Sequence, residues 1–472
     1  MQQVGIDAIP LDRLATILDA ERATSLRAAA ARAAHLLAGR TVWNVSSTAS
    51  GGGVAEMLQA LLSYTRGAGV DTRWLVLDAT PEFFRLTKQL HNLLHGSGSG
   101  DAPPLEDGLQ VYAQVSEDNL RSLAGCVRAG DVVILHDPQT AGLVAGLRRL
   151  GAHVVWRCHV GRDDTNAQSA AAWGFLRPHV EQADALIFSR QQFVPGWVDP
   201  ARVWLIPPSL DPFSAKNRFL PPADVAATLR RWDLVGLAPG HAHVDFVRRD
   251  GTLGSVRRHH DVVVGGPVPG EARMVLQVSR WDRLKDMAGV LTAFATHLPG
   301  LPDDVHLLLA GPDGSGVSDD PEGAEVVQEC LDLWRSQPEA ARRRLHLCSL
   351  PMDDIDENAH VVNALQRHAA VVVQKSLEEG FGLTVTEPMW KGRPVVASAV
   401  GGIQDQVVHG ESGLLLDDPR DLDAFAGLLQ RLLDDPPLAH QLGEHAHERV
   451  RARFLGDRHL IQYADLVASL LG

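Results

Sequence analysis

Cysteine is scarce in this 472-residue chain: Cys126, Cys158, Cys330 and Cys348 form no C-x-x-C pair and follow no regular spacing. That argues against a zinc knuckle and a disulfide framework and fits a reducing compartment. Lysine is scarce beside arginine, with five lysines among 44 basic residues, which reads as coding bias rather than chemistry. No eighteen apolar residues run together, and residues 1–7 lack the basic start and apolar stretch of an export signal. A cytoplasmic protein with no membrane span is therefore expected. Excess positive charge is absent as well. A formal net charge of −14 offers no general attraction to phosphate backbones or anionic lipid, so neither nucleic acid nor membrane is an expected partner, while small basic pockets stay open. The G-x-G-x-x-G fingerprint, with an acidic residue about twenty positions later, is also missing, which disfavours a Rossmann oxidoreductase.

A chain of this length exceeds one ordinary core, so two domains are expected. Its 45% hydrophobic and 22% charged residues suit a globular protein of alternating strands and helices. After a helical opening, short apolar runs read as strands at 41–46, 73–77, 132–135, 153–157, 185–188 and 203–206. A second series follows at 274–279, 306–310, 368–376 and 393–398. Pro207, Pro208 and Pro212 mark a hinge between the two series. Residues 244–252 and 254–260 read as a hairpin around Asp250-Gly251, either charged and solvated or acting as a lid or subunit contact. The expected fold is α/β, with two Rossmann-like domains facing a central cleft. Its boundaries are 1–212 for the N-terminal domain, 213–272 for the hinge and hairpin insertion, 273–450 for the C-terminal domain, and 451–472 for a helix packing back toward the first domain.

The densest signal is Glu378-Glu379-Gly380-Phe381-Gly382-Leu383-Thr384-Val385-Thr386-Glu387-Pro388, two carboxylates eight residues apart around a glycine-bearing turn from strand to helix. Ligands of open α/β sheets bind beyond the carboxyl ends of the strands, and the first N–H groups of the following helix suit a phosphate. Gly380, Phe381, Gly382 and Leu383 would bring backbone close to such a ligand, and Glu379 and Glu387 would accept hydrogen bonds from sugar hydroxyls. This reads as a nucleotide-sugar pocket. Alone, Glu387 is equally well a first-turn helix charge. Because proline suits only the first turn, the helix is expected to begin near 384–386.

Other candidates lie at strand ends. Arg280 and Lys285 follow the strand at 274–279, where two cations can neutralise a departing diphosphate; in isolation they read as surface charges. The turn Gly51-Gly52-Gly53 permits close approach of a phosphate or sugar, or is a tight turn with no ligand. Asp137 and His159 end strands of the first half, in cleft-facing or structural roles. On a helix spanning 83–92, Thr87, Lys88, His91 and Asn92 share a polar side that touches an acceptor or only water. Asp354-Ile355-Asp356 has the D-x-D form of a metal site, but helix starts are rich in aspartate without any metal.

Together, Arg280-x4-Lys285 and Glu379-x7-Glu387, with Gly51-Gly52-Gly53 early in the chain, resemble the retaining family 4 glycosyltransferases of the GT-B fold, and among them the trehalose glycosyltransferring synthases. His136-Asp137-Pro138-Gln139, Trp156-Arg157-Cys158-His159 and Asp320-Pro321-Glu322-Gly323 extend the resemblance over nearly the whole chain. It implies a reversible, retaining transfer of glucose from a nucleoside diphosphate glucose to glucose, forming an α,α-1,1 linkage. Arg280 and Lys285 would then hold the diphosphate, Glu379 the donor-sugar hydroxyls and Glu387 the ribose, with the glycine turn on the donor side. Asp137 and His159 would lie near the reacting sugars, and Lys88, His91 and Asn92 on the acceptor side. Front-face attack, in which the leaving phosphate oxygen takes the acceptor's proton, needs no side-chain nucleophile. No cofactor is required; Mg2+ is compatible with the reaction, but no protein metal site is expected. The implied partners are the small-molecule donor and acceptor, with a homodimer left open. Asp286 stands where the family commonly has glycine, Pro388 replaces a small helix former, and residues 160–166 are longer and more charged than the pattern. The altered loop after His159 favours, as an alternative, a specialised small-molecule acceptor such as a natural-product aglycone. A non-catalytic sugar-nucleotide-binding protein is a third reading, opposed by the intact Arg280, Lys285, Glu379 and Glu387 set.

Overall fold

The alternation of apolar runs with helical stretches produces two doubly wound sheets in the computed structural model. Residues 1–49, 52–98, 103–236, 244–249, 251–257, 262–313 and 322–472 are described. Gly51, Asp250, Arg258, His259, His260, Asp320 and Pro321 of the motifs above lie outside them. The chain divides into two compact units, Met1–Ser209 with Phe454–Gly472, and Leu210–Arg453.

The first unit contains β1 (Gln2–Val4), β2 (Val42–Ser46), β3 (Thr72–Val76), β4 (Val132–His136), β5 (His153–Cys158), β6 (Ala185–Phe188) and β7 (Val203–Leu205), in the spatial order β1-β3-β2-β4-β5-β6-β7. Every pairing is parallel except that of β1 with β3. From β2 the chain steps outward to β3, then crosses back to β4, so the switch point lies between β2 and β4. Helices cover both faces, which is why β2 and β4 are buried along their whole length and read as continuous rather than alternating apolar runs. The helix Gly456–Leu471 closes one face through Leu466 and Val467. Arg157, buried on β5, donates to His459 Nε2 (2.9 Å), the Tyr463 hydroxyl (2.6 Å) and Ile206 O (3.0 Å), tying that helix to the sheet.

The second unit contains β8 (Val235–Gly236), β9 (Asp245–Val247), β10 (Leu253–Ser255), β11 (Val262–Val264), β12 (Val268–Pro269), β13 (Arg273–Val278), β14 (Val305–Pro312), β15 (Leu345–Leu350), β16 (Val371–Gln374), β17 (Val395–Ser398) and β18 (Leu414–Leu416). Its main sheet runs β11-β15-β14-β13-β16-β17-β18, with only β11 antiparallel to its neighbour. Here the switch point falls between β13 and β16. The sequence reading did not mark β15, because His346 and Ser349 interrupt its apolar run; His346 is satisfied in place by the facing His306 (3.0 Å) and by Gly266 O (2.9 Å).

Three expectations need correction. The helix Leu383–Trp390 starts at Leu383, with Pro388 inside it, because Gly382 at φ 88° turns the chain into the helix at once. The hairpin of β9 and β10 is solvated on one face only: Val247 and Leu253 are exposed, while Phe246 and Gly254 are buried. Phe246 stacks on His360 at 5.2 Å, the Arg257 N–H donates to Glu357 (2.5 Å), Arg249 pairs with Asp356 (2.8 Å) and Arg248 with Asp354. Arg248 and Arg249 thus complement the acidic first turn of the helix Ile355–His368, where Asp354 is the N-cap. Thr87 is fully buried on the helix Pro81–Leu94 and donates to Phe84 O (3.3 Å), so it does not belong to the polar side with Lys88, His91 and Asn92.

Candidate active site

In the second unit the loops after β13 and β16 meet at the switch point. Lys285 closes the short turn Arg283–Lys285, whose start is capped by Asp282: its Oδ1 accepts from the Leu284 N–H (2.8 Å). The other oxygen of Asp282 holds Arg280 at 3.0 Å, so one nearly inaccessible carboxylate orients both basic positions. Leu377 N–H donates to Leu284 O (2.8 Å), joining the two loops through backbone. Buried Gln277 donates to Lys285 O (2.8 Å). Lys285 Nζ then lies 2.6 Å from Glu379 Oε2, which also accepts from Ser376 Oγ at 3.3 Å. Arg280 keeps about a third of its side chain accessible, Lys285 much less.

The glycine turn is held from behind. Gly401, at φ 48°, lies so close to Glu379 that a Cβ would fall 1.7 Å from its carbonyl oxygen, and one on Gly402 would come within 2.7 Å of Phe381 Cα. Buried Gln406 donates to Phe381 O and accepts from Thr386 Oγ1. Gly380 O accepts from the Gly402 N–H at 3.2 Å. The start of Leu383–Trp390 is capped by no side chain; Gly382 is its N-cap, and the Gly382 carbonyl accepts from the Val385 N–H (2.9 Å). Glu387 is buried one turn further on, its Oε2 accepting from Gln366 Nε2 (3.1 Å) and its Oε1 3.5 Å from Lys216 Nζ. Sequence reasoning missed Gln366, Gly401, Gly402 and Gln406. The glycine pair in the loop after β17 was the available signal for two of them.

Asp286, directly after Lys285, adopts φ 48°, a left-handed conformation that aspartate tolerates better than most residues. It caps the helix Met287–His297 by accepting from Gly289 N–H (3.1 Å) and pairs with Lys375, whose side chain is almost wholly buried. Burial nevertheless pushes the Asp286 carboxyl above its ordinary range, against the pull of Lys375.

In the first unit, Asp137 and His159 follow β4 and β5 and are brought together. The His159 N–H donates to Asp137 Oδ1 (2.7 Å), and Trp156 Nε1 donates to Asp137 O (3.0 Å). These two bonds hold Asp137 at φ 65°, a strained position beside the switch point. Burial pushes its carboxyl up to about 7, against the His159 N–H and Arg157. His136 bridges Asn44 Oδ1 (3.2 Å) and His159 Nε2 (3.1 Å). The amide oxygen can only accept, so His136 carries its proton on Nε2, His159 donates from Nε2, and His159 Nδ1 is left as an acceptor. Burial, with Arg157 nearby, drives both rings toward the neutral form, His136 to about 3 and His159 well below its ordinary value.

Gly52, extended at φ −167°, N-caps the helix Gly53–Gly67 without a side-chain bond. Lys88, His91 and Asn92 lie on Pro81–Leu94, and the glycine after that helix, Gly96, makes room for Arg162 and accepts from Asn166 Nδ2 (2.9 Å). The charged run at 160–166 is therefore built against the end of that helix. Among the described residues, no group of three or more His, Cys, Asp or Glu is placed to hold a metal ion, and no helix is long and apolar enough to cross a membrane.

Two doubly wound units, with a cation–carboxylate pair at a switch point and beside it a helix start capped by no side chain, define a glycosyltransferase of the GT-B fold. The solved sucrose-phosphate synthase from Thermosynechococcus elongatus has the same fold, with a TM-score of 0.63 over 91% of this chain and 99% of that one at 21% identity. Residues 44–195 match the family described as "Trehalose synthase, N-terminal domain", and 265–449 match "Glycosyl transferases group 1". The chain is 33% identical to a trehalose synthase of Pyrococcus horikoshii, over 93% of this chain and 92% of that protein, and 32% identical to one of Rubrobacter xylanophilus, over 92% of each. It belongs to the trehalose synthase family of glycosyltransferases.

Proposed function

We propose that the protein transfers glucose, with retention of configuration, from a nucleoside diphosphate glucose to free glucose, forming trehalose, and that it also runs the reaction in reverse. The observation that carries this reading is the Lys285–Glu379 pair beside Arg280 at the head of a helix capped by no side chain. A diphosphate entering there displaces a carboxylate from Lys285 and gains two cations and the N–H groups of the helix start, while Glu379 turns to the donor-sugar hydroxyls. Glu387 takes the ribose hydroxyls. Catalysis then comes from positioning and from stabilising negative charge on the leaving diphosphate, and the leaving oxygen takes the acceptor's proton. Asp137 and His159, with Lys88, His91 and Asn92, serve the acceptor sugar. The relatives named as trehalose synthases support glucose as acceptor.

The test is proton NMR of the protein with glucose and, in separate tubes, ADP-, UDP- and GDP-glucose. The symmetric anomeric signal of trehalose is expected, and the fastest tube names the donor. Hydrolysis of donor without trehalose would keep the donor site and overturn the acceptor.

A further inference from the structure

Behind Glu387 lies a chain of buried polar groups that the reaction as proposed does not use. Gln366, from the helix Ile355–His368, donates from Nε2 to Glu387 Oε2 (3.1 Å) and accepts at Oε1 from Lys391 Nζ (2.7 Å). Lys391 donates further to Asn217 Oδ1 (3.0 Å) and to Glu387 O (3.2 Å). An ammonium has three donors, and all three are used. Asn217 is fixed in turn, its carbonyl accepting from Trp390 Nε1 (3.1 Å). All four polar residues of this chain are buried.

An amide can present either end to a carboxylate. If Gln366 turned its oxygen toward Glu387, two acceptors would meet and the carboxylate would rotate away. Lys391, which can only donate while protonated, forbids that orientation. A ribose diol needs both oxygens of one carboxylate in a fixed plane, because its two hydroxyls donate side by side.

We propose that Lys391 and Gln366 are positioning residues for the nucleotide ribose, Lys391 acting through Gln366 to hold the Glu387 carboxylate plane. The inference rests on the ribose role given to Glu387 above. It carries a pH dependence. Burial draws the Lys391 ammonium down to about 7, against Glu387 and in the same direction as Arg367 and Lys216. His447 also faces this turn, through Trp390 O. As pH rises through that value Lys391 loses one donated hydrogen, and ribose recognition weakens.

The experiment is calorimetric binding of ADP, UDP and GDP, and then of the tightest binder against its 2′-deoxy counterpart. The readout is the ratio of the two dissociation constants, about tenfold for one lost hydrogen bond to a charged group. In Glu387→Gln, Lys391→Met and Gln366→Leu the ratio is expected to fall toward one. A merely structural role would weaken both nucleotides alike and leave it unchanged. If Glu387→Gln keeps the wild-type ratio, the ribose role of Glu387 fails. If Glu387→Gln abolishes the ratio but the other two variants keep it, the positioning role fails while the ribose reading stands. Should either variant not fold, Gln366→Asn, which keeps the amide but shortens its reach to Glu387, takes its place: the ratio is expected to fall toward one, and a ratio equal to that of the wild type overturns the proposal.

Discussion

At the scale of single residues, the candidate site depends on charges whose partners come from distant parts of the chain. Lys285→Ala should lower kcat/KM for the donor about a hundredfold or more, the size of loss seen when one preorganised stabiliser of developing charge is removed. Lys285→Arg should recover little, because a planar fork does not replace a compact ammonium 2.6 Å from Glu379. An unchanged kcat/KM would remove Lys285 from the reaction. The scarcity of lysine, which reads as coding bias in the sequence, gains a meaning here. Of the five lysines, Lys285 and Lys375 flank the switch point, and Lys216 and Lys391 surround Glu387. Each is paired with a carboxylate or a buried polar group, and Lys391 uses all three of its donors. A scan of charge alone does not separate the two cations, which is why that signal was passed over.

At the scale of elements, Asp286 couples a turn, a helix start and a buried cation. Asp286→Ala combines a left-handed alanine, a lost cap and a stranded Lys375, and should cost about 3 kcal/mol or more in urea unfolding. Asp286→Gly removes the backbone strain and should cost less; equal losses would mean that φ contributes nothing. Most of the strands were legible in the sequence, β2, β6 and β16 within a residue or a few, because fully buried parallel strands are apolar runs whatever their neighbours. The helix Leu383–Trp390 was placed late because Pro388 was weighed above Gly382. The packed face of the hairpin was not legible because Arg248 and Arg249 carry no local mark of the acidic helix start that receives them, about a hundred residues away.

At the scale of the whole molecule, the first unit is sensitive to acid. His136, His159 and His459 are held neutral by burial, their folded pKa values depressed below 6.5, so the unfolded chain binds more protons as pH falls. Their contribution is fully present above about 6.5 and is lost progressively below it. Asp137 has the opposite sign: its carboxyl is raised, so its contribution is present at low pH and is lost as pH rises toward about 7. Three histidines outweigh one aspartate, and the melting temperature of the first unit should drop between pH 6.5 and 4.5. His136→Gln should flatten that slope; an unaltered slope would show that these rings do not govern it. The last helix belongs to the same unit, so removing residues 454–472 should unfold it by stranding Arg157 and uncovering the sheet, whereas residues 210–453 alone should still melt cooperatively by circular dichroism.

By itself the sequence determined what depends on neighbours along the chain: the alternation of strands and helices, the turn that ends in Gly382, and the spacing of Arg280, Lys285, Glu379 and Glu387 on which the resemblance rests. Backbone geometry sets those periods over a few residues. Only the tertiary structure decided which charges meet. Arg157 finds His459 across 302 positions, Lys285 finds Glu379 across 94, and Gln366 reaches Glu387 from another helix. Such pairings follow from strand order and from the cost of burying a polar group without a partner, and neither is written into a local stretch of residues.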